Sequence, residues 1–130
     1  MDIVIDTSAL LAVIIAEPER DRIVQLTSGH TLIGPGSIPW EIGNAFSAML
    51  KQRRLGLIET QQGLKIFDAI PLRFVRVDLN NAISIAYQTK AYAYDAYFLD
   101  CAIRHAAPLL TLDRALERAA LKLGVKLMEV

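Results

Sequence analysis

The feature that most constrains the fold is a short run of β-branched residues near the start of the chain, Ile3, Val4 and Ile5, which ends on Asp6. Three consecutive β-branched side chains favour an extended strand that is buried on both faces, and the run is too short for a helix. Such a strand needs helices above and below it. The sequence therefore predicts an α/β fold with Asp6 at the carboxyl end of a buried strand, where ligands bind in open α/β sheets.

Strands and helices alternate along the rest of the chain. Apolar patterns and turn residues predict further strands at 31–34, 73–77, 109–112 and 125–130. Helices are predicted at 10–16, with Ser8 as the cap, and at 19–26, 39–54, 59–69, 79–92, 94–106 and 114–123. This alternation is typical of a mainly parallel sheet with right-handed helical crossovers. We find no repeat or linker, and a length of 130 residues predicts a single domain over residues 1–130.

Composition limits the classes of function. With 14 acidic and 14 basic residues, the chain lacks the overall positive charge of a sequence-independent DNA-binding protein. The start of the chain has no basic signal segment and no apolar run is long enough to span a bilayer, so we expect a cytoplasmic protein without membrane contact. The lone Cys101 suits a reducing compartment. A hydrophobic fraction of 53% raises the expectation that a partner or a second copy covers part of the surface.

Four acidic residues are placed where they could converge. Asp6 and Asp113 each follow a short apolar strand, and Glu41 and Asp95 stand near the start of predicted helices. In βα units, strand ends and helix starts share one rim of the sheet. Four carboxylates at that rim would repel one another unless a cation held them, and Mg²⁺ or Mn²⁺ prefers such oxygen ligands. A bound ion of this kind could activate water for phosphodiester hydrolysis.

Each of these acids also has a purely structural explanation. Asp6, Asp95 and Asp113 are well placed to cap helices, which is worth about 1 kcal/mol each, and Glu41 could complement a helix dipole. Asp78 likewise follows a strand and precedes a helix, so the pattern alone does not separate a metal ligand from a cap. A phosphatase with Asp6 as nucleophile is a further alternative, although such sites usually carry a second aspartate where this chain has Ser8.

Four segments taken together resemble the PIN domain family and, within it, the VapC-type ribonuclease toxins of prokaryotic toxin–antitoxin pairs. They are residues 5–10 (IDTSAL), 39–45 (PWEIGNA), 94–102 (YDAYFLDCA) and 108–114 (PLLTLDR). They stand in the order of the family across nearly the whole chain. The resemblance implies a three-layer α/β/α PIN-like fold, which is Rossmann-like, around a central and mainly parallel sheet.

The resemblance also implies roles for particular residues. The catalytic, metal-binding carboxylates would be Asp6, Glu41, Asp95 and Asp113. Supporting polar roles would fall to Thr7, Ser8, Asn44 and Thr111. Asp78 has no counterpart in the pattern and returns to a capping role. Asp100 lies five residues after Asp95, about 140° around a helix, so it could at most support the site.

The function implied by the resemblance is that of a Mg²⁺- or Mn²⁺-dependent endoribonuclease, the toxin of a type II VapBC pair. Such toxins are inhibited by a VapB-type antitoxin and usually form homodimers. Candidate cations for contact with the RNA substrate are Lys51, Arg53, Arg54 and Arg114, although the first three could simply be a solvated helix end. Tyr92, Tyr94 and Tyr97 could stack on an unpaired base. The alternative functions are a catalytically inert PIN-like module that binds RNA or protein, and a PIN nuclease of RNA processing outside a toxin–antitoxin pair.

Overall fold

The computed structural model describes residues 1–130 and contains four strands and seven helices. The strands are β1 (Asp2–Ile5), β2 (Thr31–Pro35), β3 (Leu72–Val75) and β4 (Leu109–Leu110). The helices are α1 (Thr7–Ile14), α2 (Arg20–Thr27), α3 (Ile38–Lys51), α4 (Leu57–Ala69), α5 (Leu79–Thr89), α6 (Ala93–Arg104) and α7 (Arg114–Lys122). None of these helices combines the length and the apolar character that crossing a membrane requires.

The four strands form one sheet in the order β3-β2-β1-β4, and every neighbouring pair is parallel. Ile3, Val4 and Ile5 of β1 are each at most 1% exposed. Because successive side chains of a strand point to opposite faces, both faces of the sheet are covered. Helix α1 packs with α2, α3 and α4, whereas α5 packs on α6, which lies against β1 and β2. The predicted α/β fold is confirmed, and the sheet is entirely parallel.

The strand order creates a switch point beside β1. The chain proceeds from β1 to β2 and β3 and then returns to the other side of β1 to form β4. Ile5 pairs with Leu110, and the Asp6 backbone N–H donates to the Leu110 carbonyl at 3.1 Å. Asp6 and Thr111 therefore leave neighbouring strands side by side, in the crevice where open α/β sheets bind ligands.

Helix α1 begins three residues earlier than the apolar pattern predicts. The Asp6 carboxylate accepts a hydrogen bond from the Ala9 backbone N–H at 3.0 Å and caps the helix at Thr7. The prediction of Ser8 as the cap was wrong, and this hydroxyl lies instead in the first turn. Its position there lets it reach the strand ends.

The predicted last strand at 125–130 was wrong. This segment makes a single parallel bridge, from Leu127 to Leu109. Strand β4 ends at Leu110 because backbone N–H groups beyond it donate to side-chain hydroxyls and not to a neighbouring strand. The Leu112 N–H donates to the Ser8 hydroxyl at 3.0 Å, and the Asp113 N–H donates to the Thr111 hydroxyl at 2.9 Å. A two-residue strand leaves little edge for another strand to pair with.

Candidate active site

Asp6 is the most enclosed acid at the sheet rim, with 4% of its surface exposed. The Ser8 hydroxyl donates to Oδ1 at 2.7 Å, and the Thr111 hydroxyl donates to Oδ2 at 2.6 Å. Burial raises the pKa of Asp6 to about 6, against the opposing effect of these hydrogen bonds, and the nearby Asp113 carboxylate raises the pKa further. The protein thus fixes the orientation of this carboxylate with neutral donors alone.

Asp113 is the cap residue of α7 and lies three residues after β4, the strand that pairs with β1. Its Oδ1 accepts hydrogen bonds from the backbone N–H groups of Ala115 and Leu116, at 2.8 and 3.2 Å, so the predicted helix cap is confirmed. The side chain is exposed, and Oδ2 accepts no hydrogen bond from the protein. One oxygen of Asp113 therefore caps the helix while the other remains available to a ligand.

Glu41 lies in the first turn of α3 and is half-buried. The Thr7 hydroxyl donates to Oε1 at 3.2 Å, and the Ser37 hydroxyl donates to Oε2 at 2.8 Å. Burial raises the pKa of Glu41, and the carboxylates of Asp6 and Asp95 add to the increase. The sequence pattern did not connect Ser37 with this carboxylate. The missed signal is its spacing of four residues from Glu41, one helical turn, which lets a hydroxyl reach that carboxylate.

Asp95 is not the helix cap that the pattern predicted. Helix α6 begins at Ala93 with Tyr92 in the cap position, so Asp95 lies within the first turn. Burial raises the pKa of Asp95, and the Asp113 carboxylate raises it further. No hydrogen bond from the protein occupies this carboxylate, so both of its oxygens are free to bind a ligand.

Each of the four acids is coupled electrostatically to two of the others. Like-charge repulsion couples Asp6 to Asp113 and to Glu41, and it couples Asp95 to the same two residues. As the side chains stand, no three His, Cys, Asp or Glu residues lie close enough together to hold a metal ion. This spacing is expected of carboxylates that repel one another while hydroxyl and amide groups hold three of them in place.

Comparison with known proteins identifies the family. A family profile described as the PIN domain matches residues 3–122, which include all four acids. The chain belongs to the PIN domain family. A search of curated protein sequences found no match.

Solved structures share the fold of this PIN domain. PAE2754 from Pyrobaculum aerophilum superposes with a TM-score of 0.67 at 21% identity, covering 92% of this chain and 79% of that one. VapBC2 from Rickettsia felis, solved bound to a DNA fragment from their promoter, gives a TM-score of 0.67 at 17% identity with 98% of both chains covered. The Mycobacterium tuberculosis toxin VapC20, described as cleaving the sarcin-ricin loop, gives 0.62 at 12% identity and covers 90% of this chain and 94% of that one.

The other predicted polar residues fall into two groups. Thr7, Ser8 and Thr111 all donate to carboxylates of the site. Asn44 is exposed on α3 and makes no side-chain hydrogen bond, so the structure gives it no contact with the acids. Of the predicted supporting residues, the three hydroxyls contact the acids and Asn44 does not.

The cations predicted for substrate contact lie outside the acid cluster. Lys51 ends α3 ten residues after Glu41, about 15 Å along the helix axis, and Arg53 and Arg54 follow it. Arg114 directly follows Asp113 and is exposed, but it lines a groove beside Glu117 on another side of α7. The structure therefore brings Arg114 near the rim and leaves the other three at the opposite end of α3.

Asp78 and Asp100 have structural roles. Asp78 caps α5 by accepting a hydrogen bond from the Asn81 backbone N–H at 3.1 Å, as predicted. Asp100 is buried, accepts a hydrogen bond from the Asp78 backbone N–H at 2.9 Å and pairs with Arg104 at 3.6 Å. Asp100 thereby ties α6 to the start of α5.

Proposed function

We propose that this PIN domain is a metal-dependent endoribonuclease and the toxin of a type II VapBC toxin–antitoxin pair. The observation that carries the proposal is the set of four mutually repelling carboxylates, Asp6, Glu41, Asp95 and Asp113, around the switch point of a PIN domain sheet. The similarity in fold to toxin structures supports it.

The chemistry of the donor set suits a hard divalent cation, which would draw together acids that stand further apart without it. All four candidate ligands are carboxylates, and Asp95 and one oxygen of Asp113 have no competing hydrogen bond from the protein. Oxygen ligands of this kind suit Mg²⁺ or Mn²⁺. When bound, such an ion would supply the Lewis acid for hydrolysis of an RNA phosphodiester bond.

The neutral groups of the chain would set the geometry of this site. Ser8 and Thr111 hold the two oxygens of Asp6, while Thr7 and Ser37 hold those of Glu41. Hydroxyl donors fix a carboxylate without neutralising it, because each oxygen keeps a second lone pair for another partner. The arrangement keeps the acids oriented toward the rim and leaves their charge to be balanced by a ligand.

A VapB-type antitoxin and a second copy of the chain are the proposed protein partners. VapBC2 and a toxin–antitoxin complex from Klebsiella pneumoniae are among the structures that share the fold. Large apolar side chains are exposed, including Trp40 at 74%, Ile58 at 70% and Leu57 at 62%. An interface with either partner would cover side chains of this kind.

RNA cleavage by the purified chain tests the proposal. The protein, free of antitoxin and treated with EDTA, should cut labelled RNA only after addition of Mn²⁺ or Mg²⁺, and Asp95→Asn should abolish cutting. Asp68→Asn, which removes an exposed acid of α4, is the matched control and should cut like the unaltered chain. Cutting by Asp95→Asn at the control rate would refute the assignment. RNA binding without cutting under either metal would favour the inert module.

A further inference from the structure

A groove with basic side chains on both walls adjoins the acid cluster and shares Asp95 with it. It has a volume of about 210 Å³ and lies between α7 and the segment that joins α5 to α6. We call it the basic groove. Its charged lining residues are Lys90, Asp95, Arg118 and Lys122. Three cations thus face a single carboxylate, and that carboxylate belongs to the proposed active site.

The three cations are free to bind a ligand. Lys90, Arg118 and Lys122 are all exposed, and none of them takes part in the ion pairs of the chain, which join Arg20 to Asp21, Arg73 to Asp2 and Arg104 to Asp100. Unpaired cations on one surface repel one another, so their collection around one groove favours an anionic ligand.

Helix α7 forms one wall of the groove. Arg118 and Lys122 are four residues apart and share a face with Ala115 and Ala119, whose small side chains leave space between the helix and the opposite wall. Ala115, the first of these residues, comes two positions after the helix cap Asp113, and Lys122 lies about 10 Å further along the axis. The cations therefore form a track that leads away from the acids rather than a single anion site.

An aromatic side chain stands at the edge of the same groove. Tyr92 lines it and is 85% exposed, three residues before Asp95. Exposed aromatic rings beside a basic track are typical of sites for single-stranded nucleic acid, where the cations meet phosphates and the ring stacks on an unpaired base.

We infer that the basic groove binds the phosphate backbone of a single-stranded RNA segment beside the scissile bond, through Lys90, Arg118 and Lys122, and that Tyr92 stacks on one of its bases. This inference rests on the proposed nuclease function. The cations of the groove take the place of Lys51, Arg53 and Arg54 as the residues expected to contact substrate. The groove shares Asp95 with the acid cluster, whereas those three residues lie at the far end of α3.

Binding of labelled RNA without divalent metal tests the groove separately from catalysis. The affinity of a fluorescein-labelled single-stranded RNA is measured by anisotropy in EDTA across a range of salt concentrations. The variant Lys90→Gln/Arg118→Gln/Lys122→Gln should bind at least about tenfold more weakly. Its slope of log affinity against log salt should be shallower by about 2, since each phosphate contact to a single strand contributes about 0.7.

Two further triple variants control for the loss of charge. Arg22→Gln/Lys65→Gln/Lys126→Gln removes the same residue types from other surfaces, and Lys51→Gln/Arg53→Gln/Arg54→Gln tests the end of α3. Both should keep the salt slope of the unaltered chain. An equal loss in either of them, or an unchanged affinity in the groove variant, would overturn the inference.

A matched tyrosine pair tests the stacking. Tyr92→Ala should weaken binding of single-stranded RNA by about fivefold or more, whereas Tyr87→Ala, which removes an equally exposed ring from α5, should not. Equal effects of the two changes would remove Tyr92 from the inference.

Cleavage assays with Mn²⁺ on the same proteins separate the two proposals. If the unaltered chain neither binds nor cuts RNA, the nuclease function itself fails. If it binds and cuts RNA while the groove variant matches its control, only the groove is wrong.

Discussion

Asp6 and Asp100 are both buried aspartates of this PIN domain, at 4% and 1% exposed, and they differ in what compensates their charge. Asp100 has a guanidinium partner, Arg104, at 3.6 Å and a backbone N–H donor at 2.9 Å. Asp6 has two hydroxyls and an amide but no basic side chain, and the charged group that acts on its pKa is another acid, Asp113. A buried charge is stable only when it is paired. Asp100 has a basic partner within the chain, whereas Asp6 has none there, and the proposed metal site would supply it.

The largest expected difference between the two aspartates is in catalysis. Asp6→Asn should lower kcat/KM for RNA cleavage by about a thousandfold or more, because the loss of a metal-binding charge removes several kcal/mol of transition-state stabilisation. Asp100→Asn should change it by less than about threefold, since the polar partners of its carboxylate are the Asp78 N–H and Arg104 rather than the other acids. Steady-state cleavage with Mn²⁺ measures both values. A comparable loss in the two variants would mean that Asp6 acts through the fold alone.

A second difference should appear in the pH dependence of stability. The pKa of Asp6 is raised from 3.8 to about 6 in the folded state, so the folded chain binds more protons than the unfolded chain between these values. Stability therefore falls as the pH rises through this window; the contribution of Asp6 is most favourable below pH 4 and is lost above about pH 6. Without metal, the free energy of unfolding of Asp6→Asn relative to the unaltered chain should increase by about 2 kcal/mol between pH 4 and pH 7.

Urea denaturation in EDTA at several pH values measures this effect, and added Mn²⁺ provides the control. Mn²⁺ at pH 7 should stabilise the unaltered chain and leave Asp6→Asn unchanged, because a ligand stabilises only the state that binds it. A constant difference between the two proteins across pH 4 to 7 would show that Asp6 keeps its ordinary pKa when folded.

The third difference concerns stability at neutral pH. Asp100→Ala should lower the free energy of unfolding by about 2 kcal/mol, because the Asp78 N–H loses its acceptor. Loss of the ion pair with Arg104 adds little to this value, since the half-exposed Arg104 side chain can turn to solvent. The loss should be the same with and without Mn²⁺ in urea denaturation. A loss that depends on Mn²⁺ would place Asp100 in the metal site after all.

Local sequence patterns predicted the positions of the acids but not their partners. The β-branched run before Asp6 and the apolar run before Asp113 fix two strand ends, and parallel pairing brings them together. Which donors reach each carboxylate depends on side-chain torsions across the fold. For that reason, the sequence reasoning missed Ser37 beside Glu41.

Errors in the predicted elements have a related cause. The alternation at 125–130 predicted a strand, but a strand needs a partner edge, and hydroxyl groups of the site end β4 at Leu110. A capping role for Asp95 was the structural alternative to metal binding, yet the left-handed turn at Lys90 ends α5 and α6 starts at Ala93, which places Asp95 in the first turn. In both places, contacts across the fold override local preference.

The smallest expected effect is that of removing a neutral hydrogen-bond donor that orients one of the acids for a cation. Ser37→Ala removes the hydroxyl that holds Oε2 of Glu41 at 2.8 Å and leaves the charge in place. Because a carboxylate without its orienting donor must lose torsional freedom when it binds a metal, Mn²⁺ affinity should fall about tenfold, with kcat at saturating Mn²⁺ nearly unchanged. Ser47→Ala, on an exposed face of the same helix, is the matched control. Calorimetric titration with Mn²⁺ measures the affinities. Equal affinities of the two serine variants would mean that Glu41 needs no orienting hydroxyl. The fixed geometry of Asp6 would then be enough to prepare the rim for a cation.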